Sequence, residues 1–101
     1  MRLIVFFDLP VITKADIRQY NKFRKYLIGQ GFVKMQKSVY SKLAINNTQA
    51  QAIASNIRKN RPKSGLVQIM TITEKQYQSI EFIVGESQNE IIDTLDRLII
   101  L

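Results

Sequence analysis

The sequence predicts a single α+β domain in which two amphipathic helices pack on one sheet. A chain of 101 residues can bury about two thirds of its unfolded surface in one core without disulfides. Short runs of β-branched and aromatic residues alternate with two stretches of helical apolar spacing. The first run, residues 3–7, is apolar throughout, which is typical of a strand that is covered on both faces.

A carboxylate follows this first strand directly. Asp8 comes after Phe7, and Pro10 stops the strand because proline has no N–H to donate to a ladder. The C-terminal end of a buried strand is a common place for a sheet to hold its chemistry. From its position alone, Asp8 has two open interpretations: it begins a turn or leads into a helix, or it is a ligand or catalytic residue.

The first helix is predicted over residues 14–29. Thr13 and Asp16 have the spacing of a capping box, and Gly29 and Gly31 end the helix. Its core stripe and its cations fall on different faces of a helical wheel. The core stripe is Tyr20, Phe23 and Leu27, and the cationic stripe is Lys14, Arg18, Lys22 and Lys25. Four cations without an acidic partner one turn away predict a phosphate-binding face.

Five further elements are predicted from periodicity and turn residues. Two strands, 32–36 and 38–44, form a hairpin that turns near Gln36-Lys37, and Asn46-Asn47-Thr48 caps a second helix that ends near Asn60. A strand, a helical turn and a fifth strand are expected at 66–73, 74–78 and 80–84. The tail, 90–101, fits either a helix or a strand, and its last four residues are apolar.

This order predicts a ferredoxin-like βαββαβ sandwich with an extra C-terminal strand. Residues 1–84 form the domain, and residues 85–101 form a C-terminal segment whose apolar end must be buried. Both helices cover the same face of the sheet, yet residues 3–7 supply apolar side chains to both faces. We therefore expect a homodimer in which a second copy covers the open face.

Composition excludes several kinds of chemistry. The chain contains no Cys and no His, so thiol nucleophiles, thiolate zinc sites and Ser-His pairs are ruled out. No apolar run is long enough to span a membrane, and the N-terminus does not resemble a signal peptide. A cytoplasmic protein without a membrane partner is expected.

The charge is strongly positive and unevenly distributed. The chain has 15 Lys and Arg against 8 Asp and Glu, and 13 of the cations but only two of the acids precede residue 74. A basic body of this kind indicates a polyanionic partner, most often nucleic acid. The alternative is a basic composition that serves solubility alone.

A second cluster of cations follows the second helix. Arg58 and Lys59 are best explained by favourable interaction with the helix C-terminus. Arg61 and Lys63 lie beyond the helix and are better candidates for phosphate contact. With Lys37 on the hairpin, they complete the predicted nucleic-acid-binding residues.

The chain resembles a small CRISPR-associated family, the second Cas protein. The resemblance rests on the strand ending in Phe7-Asp8, the basic first helix that ends in Gly, and the hairpin sequence 36–40, Gln-Lys-Ser-Val-Tyr. Residues 38–43, 46–48 and 73–77 are similar to the branch found in type II systems. The resemblance to the family covers essentially the whole chain.

This resemblance implies a function in CRISPR spacer acquisition. The expected protein is a ferredoxin-like homodimer that bridges two dimers of the CRISPR integrase and holds double-stranded prespacer DNA. The resemblance also implies that the C-terminal segment, residues 85–101, packs on the dimer partner. Members have also been assigned a metal-dependent endonuclease activity on RNA or double-stranded DNA. In that assignment Asp8 is the catalytic and metal-binding residue, and Mg²⁺, or alternatively Mn²⁺, lies between the two Asp8 residues of the dimer.

Residue chemistry favours the adaptor over the nuclease. Mg²⁺ needs one or two protein carboxylates besides phosphates and waters, so a dimer that supplies two Asp8 is the minimum workable site. A third hypothesis, a single-stranded RNA module of the same fold, requires stacking aromatics in an RNP-type run, which the sequence lacks.

Overall fold

The structure is a computed structural model that describes residues 1–86. Four strands and three helices follow one another in the order βαββαβα. The strands are β1 (Arg2–Asp8), β2 (Val33–Gln36), β3 (Val39–Leu43) and β4 (Leu66–Ile72). The helices are α1 (Lys14–Gly29), α2 (Asn47–Lys59) and α3 (Glu74–Gln78).

The sheet has the strand order β2-β3-β1-β4, with every neighbouring pair antiparallel. β1 is therefore central, which explains its unbroken apolar sequence. Both crossover helices, α1 and α2, lie on one face. The predicted ferredoxin-like α+β fold is confirmed.

The core forms where alternate residues of β1 meet the two helices. Leu3, Val5 and Phe7 are buried together with Phe23 and Leu27 of α1. The α2 residues Ala50 and Ile57 complete this cluster from the second helix. Because side chains alternate along a strand, the other half of β1 belongs to the opposite face of the sheet.

That opposite face, which we call the open face, carries large apolar side chains. Ile4, Phe6 and Asp8 of β1 lie on this face. The strand register places Leu66 of β4 beside Asp8 and Met70 beside Ile4. The side chains of Leu66 and Met70 are 54% and 46% exposed. An exposed apolar sheet face of this kind is typical of an interaction surface.

Helix boundaries follow the local capping chemistry. The Thr13 hydroxyl accepts a hydrogen bond from the Asp16 N–H, and the Asp16 carboxylate accepts one from Thr13, which confirms the predicted capping box. Gly31 follows α1 with a φ of +93°, the left-handed conformation predicted for a helix end.

The fifth strand predicted at residues 80–84 is wrong. This segment has no strand pairing, and Ile83 and Val84 are 79% and 90% exposed. A strand requires a hydrogen-bonding neighbour, and residues 1–86 bring none to this segment. Of the segment predicted to pack on a partner, only residues 85 and 86 are described, so that prediction and the tail at 90–101 lie outside the described residues.

Candidate functional site

Asp8 is the last residue of the central strand and lies on the open face. Its backbone pairs with Leu66 of β4, and its side chain is exposed. Among residues 1–86 its carboxylate accepts no hydrogen bond and forms no ion pair. The carboxylate is therefore accessible to a ligand or a second chain, and it does not serve as a helix cap.

The position of Asp8 is fixed through its neighbour Phe7. The Phe7 ring lies 5.2 Å from the Phe23 ring, edge to face, and stacks on Tyr40 with 5.7 Å between ring centres. Tyr20 adds a third aromatic contact at 5.6 Å. Aromatic pairs of this geometry stabilise a core beyond their buried area, so the strand that presents Asp8 is rigid up to its last residue.

The turn between β2 and β3 is tied to the same strand end. Ser38 adopts a φ of 63°, which is uncommon for a residue with a side chain. Its carbonyl accepts a hydrogen bond from the Phe7 N–H at 3.0 Å, and its hydroxyl is hydrogen-bonded to Tyr20 Oη at 2.9 Å. These two contacts hold Lys37, the preceding residue, near Asp8.

An open hollow of about 140 Å³ adjoins Asp8. The polar residues that line it include Asp8, Lys37 and Gln68. Its apolar lining includes Phe6 and Leu66. Lys37 is the predicted nucleic-acid-binding residue that the fold brings to Asp8. A cation beside an exposed carboxylate suits the binding of a phosphate that also contacts a metal ion.

The described residues of one chain do not make a metal site here. Among residues 1–86, no three His, Cys, Asp or Glu side chains lie close enough together to hold a metal ion. Of these residues, Asp8 is the only carboxylate that lines the hollow, and its oxygen donors are of the type that Mg²⁺ prefers. Residues 1–86 fit such an ion only if a further carboxylate is supplied, as a second copy of Asp8 in a dimer would do.

The opposite end of the open face is closed by α3. Arg2 donates from Nε and Nη2 to the two carboxylate oxygens of Glu74, at 2.9 and 2.6 Å, and lies over the Tyr77 ring at 4.0 Å. The hydrogen bond from Arg2 lowers the pKa of Glu74 below its usual value and raises that of Arg2. Arg2 and Asp8 are six positions apart along β1, so about 20 Å of strand separates the contact with α3 from Asp8.

The four cations predicted on α1 all have exposed side chains. Among residues 1–86 none of them forms an ion pair, and the acid on this helix, Asp16, is engaged in the capping box. The helix therefore presents a row of uncompensated positive charge to solvent, as the spacing predicted. This row consists of Lys14, Arg18, Lys22 and Lys25.

The remaining predicted cations, Arg61 and Lys63, lie in the loop that follows α2. Arg61 donates from Nη1 to the Arg58 carbonyl at 2.9 Å, so part of its guanidinium closes the end of α2. Lys63 is exposed in the loop before β4. Lys59, which the sequence assigned to the helix end, lines a cleft together with Lys22 and Arg61. No spacing rule along the chain relates Lys59 to Lys22, because the fold alone brings α1 to the end of α2.

Comparison with known proteins gives the family. The family described as "CRISPR associated protein Cas2" matches residues 1–80, which include every strand and helix of the structure. This chain belongs to the Cas2 family. The resemblance noted in the sequence is thus confirmed, and the match extends over both the strand end with Asp8 and the basic helix.

Named relatives cover the full chain. A Cas2 protein of Treponema denticola, called a CRISPR-associated endoribonuclease, is 54% identical over all 101 residues and over its own whole length. Relatives with the same name from Ligilactobacillus salivarius and Streptococcus mutans are 41% and 40% identical over the whole chain, covering 100% and 93% of their own lengths. The similarity to these three relatives therefore extends over nearly their whole lengths.

No helix in the described part of the chain is both long enough and apolar enough to cross a membrane. The longest, α1, has 16 residues and carries the cationic row. The expected cytoplasmic location stays a prediction.

Proposed function

We propose that this Cas2 protein acts in CRISPR spacer acquisition as a homodimeric DNA-binding adaptor, which bridges integrase dimers and holds the prespacer duplex. The observation that carries the proposal is the row of exposed, uncompensated cations on α1. Lys and Arg on one face bind the phosphate backbone of a duplex without reading its sequence. Such binding suits a protein that must accept foreign DNA of any sequence.

The dimer is proposed to form through the open face. Leu66 and Met70 expose apolar surface there, and Phe6 lies between them and β3. A second copy that packs on the same face would bury this surface and would bring two Asp8 strand ends toward a common axis. Sedimentation at micromolar concentration tests this: a species of twice the chain mass is expected, and Met70→Asp should shift it toward the monomer.

DNA binding is tested by charge reversal on α1. Lys14→Glu combined with Arg18→Glu replaces two phosphate contacts per chain by repulsion, so four are lost per dimer. Each lost contact reduces the log–log salt slope by about 0.9, so the slope should flatten by roughly 3 to 4 units. The matched control is Lys34→Glu with Lys75→Glu, which makes the same charge change at exposed cations on β2 and α3. If both double variants flatten the salt slope equally, DNA is attracted by the net charge of the protein and not bound by the α1 row, which would contradict the proposal.

A second candidate function is a metal-dependent endonuclease that acts on RNA or double-stranded DNA. Two observations favour it: the relatives are named endoribonucleases, and Asp8 is exposed at the end of a rigid strand. In a dimer, two Asp8 carboxylates would hold Mg²⁺ or Mn²⁺, which would stabilise charge on a scissile phosphate and lower the pKa of a bound water. Lys37 in the same hollow would then orient the phosphate.

A further inference from the structure

A second cationic feature lies between the middle of α1 and the C-terminal end of α2 with the residues that follow it. Side chains from both enclose a cleft of about 160 Å³, far more than the roughly 10–15 Å³ that one water molecule requires. The cleft therefore has room for a small polyatomic group together with water. We call it the α1–α2 cleft; its polar lining residues are Gln19, Lys22, Lys59, Asn60 and Arg61.

Positive charge in this cleft is uncompensated. Lys22 of α1, Lys59 of α2 and Arg61 of the following loop contribute three cations, and among residues 1–86 no Asp or Glu lines the cleft. Among residues 1–86 the ion pair that forms is Arg2–Glu74, which lies on the open face. Three like charges around one cavity repel each other, and a bound anion would relieve that repulsion.

The C-terminal end of α2 points toward the cleft, and its carbonyls would oppose an anion if they were unpaired. Three of the last four are paired. The Asn60 N–H donates to the carbonyls of Asn56 and Ile57, and Arg61 Nη1 donates to that of Arg58. The last of these bonds places the Arg61 guanidinium at the end of α2 beside the cleft, where its other N–H groups can donate.

The donors surrounding the cavity match a tetrahedral oxyanion. A guanidinium binds two oxygens at once, and the two ammonium groups and the Gln19 amide approach from the α1 and α2 sides. The ring of Phe23, 2% exposed, contributes an apolar wall that strengthens electrostatic interactions nearby. A planar carboxylate would use only part of this donor set.

We propose that the α1–α2 cleft is a phosphate-binding site. The phosphate is either a phosphodiester of bound nucleic acid or the phosphate group of a free small molecule. For nucleic acid as the source, the inference rests on the proposed DNA-binding function: Lys22 belongs both to the α1 row and to the cleft, so a duplex that follows the row reaches the cleft.

The direct test is a titration with inorganic phosphate followed by ¹⁵N NMR. The side-chain amide signals of Gln19 and Asn60 should shift with saturation, because these groups line the cleft. Lys22→Gln combined with Lys59→Gln should abolish the shifts, since it removes two of the three cations. Lys34→Gln with Lys75→Gln removes the same charge from other exposed positions and should leave them intact.

The source of the phosphate is decided by competition. If nucleic acid supplies the phosphate, a short DNA duplex should shift the same signals and displace inorganic phosphate. The Lys22→Gln/Lys59→Gln variant, which loses one phosphate contact per chain, should then reduce the salt slope of duplex binding by about 0.9 per chain. Displacement by a nucleoside monophosphate but not by duplex identifies a free ligand. Signals that do not move with any of the three probes, or that move equally in the cleft variant, overturn the proposal. A protein that binds phosphate here but no duplex anywhere refutes the DNA-binding function and leaves the cleft standing.

Discussion

Gly65 packs directly against the strand end that carries Asp8. A Cβ atom at Gly65 would stand 2.8 Å from the Asp8 carbonyl oxygen and 3.1 Å from the Leu9 Cα atom. Gly65 also has a φ of +96°, a conformation that favours glycine. The turn before β4 can therefore approach Asp8 only because residue 65 has no side chain, which makes Gly65 a positioning residue for the carboxylate.

Gly65→Ala should lower the free energy of unfolding by about 1–3 kcal/mol, because the substitution combines a strained φ with a backbone clash. Urea denaturation at pH 7 measures the change. Gly29→Ala is the matched control: a Cβ there meets nothing within 4 Å, and the residue ends a helix. We expect that control to be neutral or stabilising by about 0.5–1 kcal/mol. Equal stability of the two variants would contradict the close approach.

The element order could be predicted because local signals agree with the fold. The capping box at Thr13 places the start of α1 at Lys14, and the apolar period fixes which face is buried, as Phe23 and Leu27 show. The strand predicted at residues 80–84 is wrong because an apolar pattern can indicate a strand but cannot show that a neighbouring strand is available to pair with it. Pairing is a property of the sheet, and the segment has none in the described chain.

The candidate site could be predicted only in part. Asp8 is found from sequence because a single carboxylate ends an apolar run, and this signal needs no tertiary information. The contact of Lys37 with the same hollow depends on the left-handed turn at Ser38, which residue type does not predict. Lys59 and Lys22 share a cleft across 37 positions of sequence, a proximity that only helix packing creates.

Tyr20→Phe should destabilise the protein by about 0.5–1.5 kcal/mol. The substitution keeps the ring beside Phe7 and removes only the 2.9 Å hydrogen bond to Ser38. Thermal unfolding measures the loss. Tyr26→Phe is the control, because the Tyr26 hydroxyl makes no hydrogen bond within residues 1–86, and its stability should be unchanged. If both variants behave alike, the tie between α1 and the turn contributes nothing to stability.

The Arg2–Glu74 pair should make stability depend on pH at the acidic end. The pKa of Glu74 is lowered in the folded protein by the hydrogen bond from Arg2. Its stabilisation is therefore complete above the ordinary Glu pKa of about 4.3 and is lost as the pH falls through the lowered folded value. The pair is partly exposed, so the gap between wild type and Glu74→Gln at pH 7 should be about 1 kcal/mol or less.

Chemical denaturation from pH 7 to pH 3 measures that gap. The gap should begin to close as the pH falls below the ordinary Glu pKa of about 4.3, and it should also narrow in high salt, since exposed charges are screened. Glu81→Gln is the control, because Glu81 is exposed and forms no ion pair among residues 1–86. A gap that widens as the pH falls would have the wrong sign for this interaction.

Asp8→Asn separates the adaptor from the nuclease. The carboxylate makes no hydrogen bond or ion pair within residues 1–86, so the variant should fold and dimerise as wild type does. It removes a negative charge near Lys37, so duplex binding should stay the same or become slightly tighter. Any cleavage of RNA or duplex DNA that depends on Mg²⁺ or Mn²⁺ should disappear, because an amide is a poor ligand for these ions.

Three measurements on one preparation decide between the two functions: duplex binding, cleavage with and without EDTA, and spacer integration with the partner integrase. If the protein is an adaptor, the Asp8→Asn variant should support integration at the wild-type level. The Lys14→Glu/Arg18→Glu variant should not support integration, because it no longer holds DNA. Cleavage that survives EDTA, or persists unchanged in Asp8→Asn, would exclude an Asp8-bound metal as its cause. The adaptor function is falsified if Asp8→Asn abolishes integration while its dimer and its DNA affinity remain intact. The carboxylate would then perform chemistry that acquisition requires, since nothing else in the variant has changed.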